Sequence, residues 1–358
     1  MTPVRLRRRT LLGVAAAVAS TALTRALPVA AQEQPPTPTP PPGGFAVGGM
    51  GFMWDRGEFT PIRFPGATGT LPFGINARGT ICGTYDDVDG RTHGFTFEDG
   101  VYTPIDHPNA NGVLNGQSGT AAISINAQGQ LVGTYVDADA GKLIGYRLDK
   151  DEFTRIEAPN ATITSAFGLN NRGQITVQSE DGNGMPHDFL LDDGEFSPIV
   201  FPGAQATVVH KINANGTIVG VHANPGEPMD VQHGFILERG RYSQFDLPGI
   251  KLVGANSMSA NGQLVGYYLE PDQSVLHGLF FERGEITNID LPGVPTTTVY
   301  DINERGQLVG AGWDVQLEIP SSSEPAAVPA PMMDISRRGR RPRQGQPALG
   351  TSTWVVST

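Results

Sequence analysis

A repeat with a period of 43 to 50 residues constrains this chain more than any other feature. Its clearest opening, residues 124–135, reads Ser-Ile-Asn-Ala-Gln-Gly-Gln-Leu-Val-Gly-Thr-Tyr. Similar openings place an Asn or Ser at positions 76, 126, 170, 213, 259 and 303, so successive copies are 50, 44, 43, 46 and 44 residues apart. The four-stranded blades of β-propellers recur in this range. The period therefore predicts a repeat-built, all-β fold.

Turn-forming residues divide each repeat into four strands, here named a to d. Strand a ends at Asn-x-x-Gly, as in residues 76–79, where a side-chain acceptor and a final Gly suit a tight turn. Strand b shows the period-2 alternation of residue types that is typical of strands. Strand c begins at His-Gly-Phe or a variant of it, and a Gly-containing turn leads into strand d. A Pro-Gly pair such as Pro65-Gly66 ends strand d, because proline cannot donate to a strand ladder.

The two ends of the array carry complementary half repeats. Residues 51–65 contain only strands c and d, and residues 296–313 contain only strands a and b. Five whole repeats plus this composite predict a six-bladed β-propeller of four-stranded antiparallel blades, closed by the N- and C-terminal half repeats. Such closure would remove the exposed edges of an open array. An open β-solenoid and a seven-bladed propeller are the alternative folds.

The composition fits many short strands and excludes two kinds of stabilising site. The chain has 46 Gly and 29 Pro among 358 residues, while 39% of its residues are hydrophobic. Its single cysteine, Cys82, excludes an intramolecular disulfide and a multi-cysteine metal site. Other repeats carry Val at the same position, so we expect Cys82 to be a small, buried apolar residue.

The segments that flank the repeats predict export. Arginines precede an apolar run that reaches Val29-Ala30-Ala31, which predicts a signal peptide over residues 1–31. Arg8-Arg9 followed by Thr-Leu-Leu is typical of a twin-arginine signal, with an ordinary Sec signal as the alternative. Residues 32–44 form a Pro-rich linker, 45–319 the repeat domain, and 320–358 a disordered Arg/Pro-rich tail. We expect a secreted, periplasmic or cell-surface protein without a transmembrane anchor after cleavage.

The repeat pattern resembles a known family. The succession Ile-Asn-x-x-Gly-Gln-Leu-Val-Gly-x-Tyr, His-Gly-Phe and Pro-Gly is similar to that of the HAF-type extracellular repeat proteins of bacteria, over about residues 45 to 313. The resemblance implies β-propeller-like repeats and an extracellular or envelope location, and it brings no reaction or catalytic residue. Two repeats depart from the pattern: residues 144–146 lack the His, and residues 175–177 lack the strand-b Gly.

Two recurring features invite a metal hypothesis. Equivalent positions in different blades lie around a ring, so we expect the repeated histidines to pack or cap strand c rather than converge on one ion; they are His93, His187, His233 and His277. The strand b–c loops alternate oxygen ligands before a Gly, as calcium loops do, without the complete spacing or distal Glu. The candidate calcium ligands are Asp87, Asp89, Asp137 and Asp139, with solvated hairpin turns as the favoured alternative. No other cofactor is expected.

Strand a supplies a candidate ligand site because it lines the axial channel of a propeller. The residue before the Ile, Leu or Met of each opening is Gly or Ser in four repeats, but Lys211 and Asp301 in the other two. His210 and Tyr300 immediately precede these residues. The four would place a cation, an anion and two hydrogen-bonding groups in one polar pocket. No nucleophile, base and orienting group occur together, so no catalytic residue is predicted.

Charge limits the partners. Between residues 44 and 319 the chain has 15 basic and 33 acidic residues, so this part should repel nucleic acid and anionic membranes. The expected function is that of a monomeric, noncatalytic binding scaffold whose b–c and d–a loops present one face to a protein or glycan. The alternative is an envelope hydrolase or lyase with a polar or metal site at the mouth of the axial channel.

Overall fold

The computed structural model describes residues 49–313, except 115–116, 228–230, 251 and 271–274, and the backbone of residues 4–6 and 315–317. The linker and the tail lie outside the described residues, as does all of the predicted signal peptide apart from residues 4–6. The chain divides into two units, 1–319 and 320–358, and every described residue belongs to the first. Within the described residues, no helix is long and apolar enough to cross a membrane.

The described strands form two eight-stranded and two four-stranded sheets, besides two strand pairs, and the fold is all-β as predicted. Within the four larger sheets the strands pair antiparallel in six groups of four, and single parallel pairings join groups 1 and 2 (Met50 with Thr70) and groups 3 and 4 (Leu143 with Ile163). Group 1 contains β26 (Thr296–Ile302), β27 (Leu308–Trp313), β2 (Met50–Asp55) and β3 (Glu58–Pro61). Group 2 contains β4 (Gly69–Ile75), β5 (Ile81–Asp86), β6 (Thr92–Glu98) and β7 (Val101–Ile105). Group 3 contains β10 (Thr120–Ile125), β11 (Leu131–Asp137), β12 (Lys142–Asp149) and β13 (Glu152–Ile156).

The remaining groups follow the same order. Group 4 contains β14 (Ala161–Leu169), β15 (Ile175–Asp181), β16 (Phe189–Asp192) and β17 (Glu195–Pro198). Group 5 contains β18 (Ala206–Ile212), β19 (Ile218–Ala223), β20 (His233–Glu238) and β21 (Arg241–Phe245). Group 6 contains β22 (Leu252–Met258), β23 (Leu264–Leu269), β24 (Leu276–Glu282) and β25 (Glu285–Asn288). Outside the groups, β1 (Val4–Leu6) pairs in parallel with β28 (Val315–Leu317), and β8 (Val113–Leu114) pairs with β9 (Gln117–Ser118).

The half repeats at the two ends of the array pair with each other in group 1. Strand β2 runs antiparallel to β27, from Met50 opposite Gly312 to Trp54 opposite Leu308. The first strands of successive groups also contact one another, and β26 contacts β4 in the same way. The expected pairing of the half repeats is therefore present.

A β-bulge interrupts strand a in every group. In group 3, for example, Ala122 pairs with Gly133 and Ser124 with Val132, which leaves Ile123 without a partner in the ladder. The bulges direct bulky side chains from four first strands into one apolar cluster, whose members include Phe73, Ile123, Phe167 and Tyr300. Elsewhere the core lies between neighbouring groups. Cys82 packs in one such layer with Ala122 and Tyr146 and is fully buried, as predicted.

Strand d ends earlier than predicted. Strand β7 ends at Ile105, three residues before Pro108, and β3 ends four residues before Pro65. In five groups the residue before the Pro instead donates its backbone N–H to a Thr near the start of the next strand a. The clearest case joins Phe64 to Thr70 Oγ1 at 3.0 Å, and the same bond recurs at His107, Ala158, Phe201 and Leu291.

The repeated Asn of each a–b turn links one group to the next. Its Oδ1 accepts the turn's own N–H groups, as predicted; Asn126 Oδ1, for instance, accepts from Gln128 at 3.1 Å and Gln130 at 3.0 Å. Its Nδ2 donates to the carbonyl of the equivalent residue in the next group. These inter-group bonds, here called the asparagine belt, join Asn76 to Asn126, Asn126 to Asn170, Asn170 to Asn213, Asn213 to Ser259, and Asn303 to Asn76, at 3.0–3.3 Å.

The Gln that follows the turn extends this network outward. Asn126 also donates to Gln130 Oε1 at 2.8 Å, and Gln130 Nε2 donates to Asp149 in the c–d turn at 2.7 Å. The same links to acidic c–d residues occur at Gln174, Gln263 and Gln307. In these four groups the Gln thus connects the a–b turn to the c–d turn near the outer edge of the sheet.

The belt lacks one bond because Ser259 has no amide group with which to reach Asn303.

We expect Asn126→Ser to lower the free energy of unfolding by about 1 kcal/mol, since it removes the inter-group donor while leaving a turn acceptor like that of Ser259. Ser259→Asn should raise it by a similar amount. Denaturant unfolding measures both, with Asn109→Ser as a control. Equal values for all three variants would show that the belt contributes nothing to stability.

Candidate functional site

A small polar depression lies among the a–b turns, where the first strands of the groups end. It has a volume of about 100 Å³ and is lined by belt residues, by the residues on either side of them, and by Ser124, Ser257, Lys211 and Asp301. Ligand pockets for drug-sized molecules are typically about 300–1,000 Å³. The depression therefore suits a small ion or a few water molecules, and we call it the axial pocket.

Lys211 and Asp301 meet at the base of the axial pocket. Lys211 Nζ lies 3.6 Å from Asp301 Oδ2 and donates to the carbonyl of Ile123 at 2.7 Å. Asp301 also accepts from the hydroxyl of Ser257 at 2.6 Å and from the backbone N–H of Ile75 at 3.1 Å. Both side chains are almost completely buried. The pair therefore cross-links five first strands, β4, β10, β18, β22 and β26, and most of its polar atoms already have protein partners.

The other two candidate residues lie outside the axial pocket. His210 is fully buried, stacks near Phe167 and bonds through Nδ1 to the carbonyl of Ala255 at 2.9 Å. Burial lowers the pKa of His210 to about 4. Tyr300 packs edge-on against Phe73 within the apolar cluster. The structure thus brings together Lys211 and Asp301, and it places His210 and Tyr300 at bulge positions in the interior.

The strand-c histidines stay apart, and each forms its own pairs with carboxylates. His233 lies between Asp246 Oδ1 at 2.6 Å and Glu227 Oε2 at 3.0 Å, and His93 lies between Asp106 and Asp87 in the same way. His277 pairs with Asp290 at 2.9 Å, and the more exposed His187 lies 3.3 Å from Asp181. These bonds tie the start of strand c to the adjacent loops, which agrees with the predicted capping role.

The carboxylates favour the charged form of two of these histidines. The hydrogen bond with Asp106 is the main cause that raises the pKa of His93, against the effect of burial. Burial opposes the charge of His233, but its bonds with Asp246 and Glu227 outweigh burial and raise its pKa. In group 3, which has no His here, Lys142 and Arg155 pair with the equivalent Glu157 at 2.7 and 2.6 Å. A cation at this position therefore recurs in different chemical forms.

The predicted calcium ligands form bonds within their turns. Asp87 Oδ1 accepts from the backbone of Asp89 and Arg91, both at 2.9 Å. Asp137 accepts from the N–H of Ala140, and Asp139 accepts from the side chain of Asn111 at 2.8 Å. In the part of the chain that the structure describes, no three His, Cys, Asp or Glu side chains cluster closely enough to hold a metal ion. Calcium binding here stays a prediction, which titration calorimetry with millimolar calcium can test.

Sequence reasoning missed a buried acid in group 4. Asp188 replaces the Gly of His-Gly-Phe, and its Oδ2 accepts the backbone N–H of Val209 in the next group at 2.6 Å. Burial raises the pKa of Asp188 to about 8. Gln178, in the same irregular repeat, donates to the carbonyl of Val209 at 2.6 Å. These two departures from the repeat thus bind the strand that carries His210 and Lys211 to group 4. Their occurrence together in one repeat was the sequence signal that could have identified the buried acid.

Comparison with solved structures supports a propeller fold. A putative TolB from Agrobacterium tumefaciens is similar with a TM-score of 0.54 and 9% identity, over 75% of this chain and 99% of that chain. TolB from Acinetobacter baumannii is similar with a TM-score of 0.48 and 15% identity, over 75% of this chain and 65% of that chain. This chain therefore spans less than two thirds of that protein's length. The β-propeller domain of the Trilobed protease from Pyrococcus furiosus has a TM-score of 0.42 and 12% identity, over 65% of this chain and 75% of that chain.

These likenesses concern the fold alone, because identities are below 25%. The described residues form an all-β fold of the β-propeller kind. No protein-family model matches the chain, and no curated protein is similar enough to count as a relative.

The ion pair at the axial pocket should be needed for stability. We expect Lys211→Met to lower the free energy of unfolding by about 3 kcal/mol, because it leaves the buried Asp301 without its counter-charge. Asp301→Asn should have a similar effect, and the double variant should lose much less than the sum. A double-mutant cycle by denaturant unfolding measures the coupling. Additive losses would show that the two charges do not interact.

His233 should make stability depend on pH. Because its pKa is higher in the folded than in the unfolded chain, its stabilisation is complete below about pH 6.5 and is lost as pH rises through the folded value. We therefore expect the stability difference between wild type and His233→Gln to shrink from pH 6 to pH 9. Thermal melting at each pH measures it. A difference that stays constant would mean that His233 is held by packing alone.

Proposed function

We propose that the six groups are the blades of a closed six-bladed propeller, and that the chain is an exported protein of the HAF-type repeat kind. Two observations support closure: the pairing of β2 with β27, and the belt bond from Asn303 to Asn76 at 3.0 Å, which joins the last repeat to the first. The predicted signal peptide supports export to the periplasm, the cell surface or the medium.

The function that the geometry supports best is that of a noncatalytic binding scaffold for a protein or glycan. The b–c and d–a loops lie side by side, since Thr68 donates to Asp86 at 2.9 Å and Gln205 donates to Ala223 at 2.8 Å. The observation that carries the proposal is the position of exposed apolar side chains. Among the described residues, four of the six large ones belong to these loops, namely Val88, Val113, Met185 and Val200. Because the four side chains lie at the same end of the strands, we infer that they contribute to one interaction surface.

The rival function is that of an envelope hydrolase or lyase with a site at the mouth of the axial channel. Lys211 and Asp301 are the residues that favour it, because charged side chains buried beside a pocket are typical of active sites. Protein groups already bond to most of the polar atoms of Lys211 and Asp301, which favours a structural role. The scaffold is therefore the conclusion we prefer.

A binding experiment with matched variants separates the two functions. We expect saturable binding of the mature protein on a glycan array or to purified envelope proteins. The triple variant Val88→Ser, Val113→Ser, Met185→Ser should reduce affinity at least tenfold. The control pair Val101→Ser and Ile286→Ser removes exposed apolar groups from strand d, away from these loops, and should bind normally.

Two outcomes would contradict the scaffold function. Equal losses in the loop variant and the strand-d control would show that the loop face is not the binding surface. Turnover of a glycoside or ester substrate that survives the loop variant and disappears in Asp301→Asn, provided that this variant folds, would establish the rival.

A further inference from the structure

An aromatic stack recurs where strand b meets the b–c and d–a loops. In group 2, the ring centroid of Phe64 lies 3.6 Å from that of Tyr85, which in turn stacks on His93 at 5.0 Å. In group 6, Tyr268 stacks on His277 in the same way at 5.3 Å. The complete stack of group 2 joins the d–a loop to strands b and c, so it holds that loop against the sheet.

Group 5 builds the same stack with a histidine in the middle. The ring centroid of His222 lies 3.7 Å from that of Phe201 and 5.2 Å from that of His233. His222 is only 1% exposed, and among the described residues neither of its ring nitrogens has a hydrogen-bond partner. The nearby carboxylates of Asp246 and Glu227 already pair with His233. A second proton on His222 would therefore be buried without a partner, beside another imidazole whose charged form is favoured.

Group 3 places a histidine at the d–a loop instead, where groups 2 and 5 have Phe. The ring centroid of His107 lies 3.6 Å from that of Tyr135 and 5.9 Å from that of Tyr146, and His107 is almost fully buried. Burial raises the pKa of both phenols, so they carry no charge near neutral or acidic pH. Nδ1 of His107 accepts the backbone N–H of Asn109 at 3.1 Å. Because an N–H group can only donate, protonation of that nitrogen would break the bond.

The surroundings of both histidines disfavour their charged forms. Burial is the main cause that lowers the pKa of His222, and the charge of His233 adds to it against the opposite effects of the two carboxylates. Burial also lowers the pKa of His107 to about 4, with a contribution from Arg155 and against the effect of Asp137. The stabilisation by each neutral ring is therefore complete above about pH 6.5, the value of the unfolded chain, and is lost as the pH falls from there through the folded value.

We propose that the stacks of groups 3 and 5 are acid-sensitive contacts, which open when His107 and His222 take up a proton and then release the d–a loops 106–119 and 199–205. These loops carry Val113 and Val200, two of the exposed apolar residues of the proposed partner surface. Acidic pH therefore loosens part of that surface, while the stack of group 2, with Phe and Tyr at these two places, stays closed. The effect on a partner rests on the proposed scaffold function, but the opening itself does not.

Amide hydrogen exchange at pH 7 and pH 5 tests the opening within one molecule. The N–H of Gln205 donates to the carbonyl of Ala223, beside His222, at 2.8 Å. The equivalent N–H of Thr68 donates to Asp86 in group 2 at 2.9 Å and serves as the control. We expect the protection factor of Gln205, which corrects for the intrinsic pH dependence of exchange, to fall at least about tenfold at pH 5. That of Thr68 should change less than about twofold.

Variants that introduce the residues of group 2 provide matched controls. His222→Tyr should keep the protection of Gln205 at pH 5. In wild type, the N–H of Ala110 donates to the carbonyl of His107 at 2.9 Å and should also lose protection at pH 5, whereas His107→Phe should preserve it.

Three results would overturn the proposal. Gln205 could keep its protection in wild type at pH 5, it could lose as much in His222→Tyr as in wild type, or Thr68 could lose as much as Gln205, which would indicate general acid unfolding. NMR titration of the imidazole signals needs no variant: His107 and His222 should take up their protons below about pH 6.5, and midpoints at or above that value would refute the mechanism. These measurements require no partner, so their failure would leave the scaffold function to its own test.

Discussion

The asparagine belt is the interaction on which the rest of this structure depends. Each belt Asn uses its oxygen for its own turn and its amide group for the carbonyl of the next group, so one side chain fixes both local geometry and the spacing of neighbouring sheets. Most of these atoms are buried, where a hydrogen bond is strong and an unpaired polar group is costly. The belt passes from the last repeat to the first through Asn303 and Asn76, which are far apart in sequence. A chain of such bonds holds the inner strands in register, and the axial pocket is built from the same residues.

Departures from the repeat concentrate around Lys211 and Asp301. Four inner strands carry Gly or Ser at the position equivalent to Lys211 and Asp301, and these two residues form a buried pair at the base of the axial pocket. A buried ion pair adds little net stability over an apolar packing, but it is costly to break, so it can specify one arrangement of strands. The polar residues of group 4 support this arrangement, because Asp188 and Gln178 both bond to the backbone of Val209, two residues before Lys211.

The two ends of the strands have different chemistry. At the b–c and d–a loops, carboxylates bracket histidines, and exposed apolar residues stand between acidic turns. At the a–b turns, the belt residues line a small pocket that has Lys211 and Asp301 at its base. This difference is the physical basis for assigning a partner surface to the b–c and d–a loops.

The sequence by itself determined the period, the order of the strands, the turns, the complementary half repeats and the burial of Cys82, because these depend on local backbone preferences and on the spacing of equivalent residues. It also predicted that Lys211 and Asp301 would share one polar pocket, since the repeat register places them at equivalent positions of two inner strands. Tertiary structure alone decided the second bond of each Asn, whose acceptor lies a whole repeat away. It likewise decided the fate of His210 and Tyr300, because a β-bulge turns these side chains into the apolar interior, and sequence periodicity does not reveal which residue a bulge leaves unpaired.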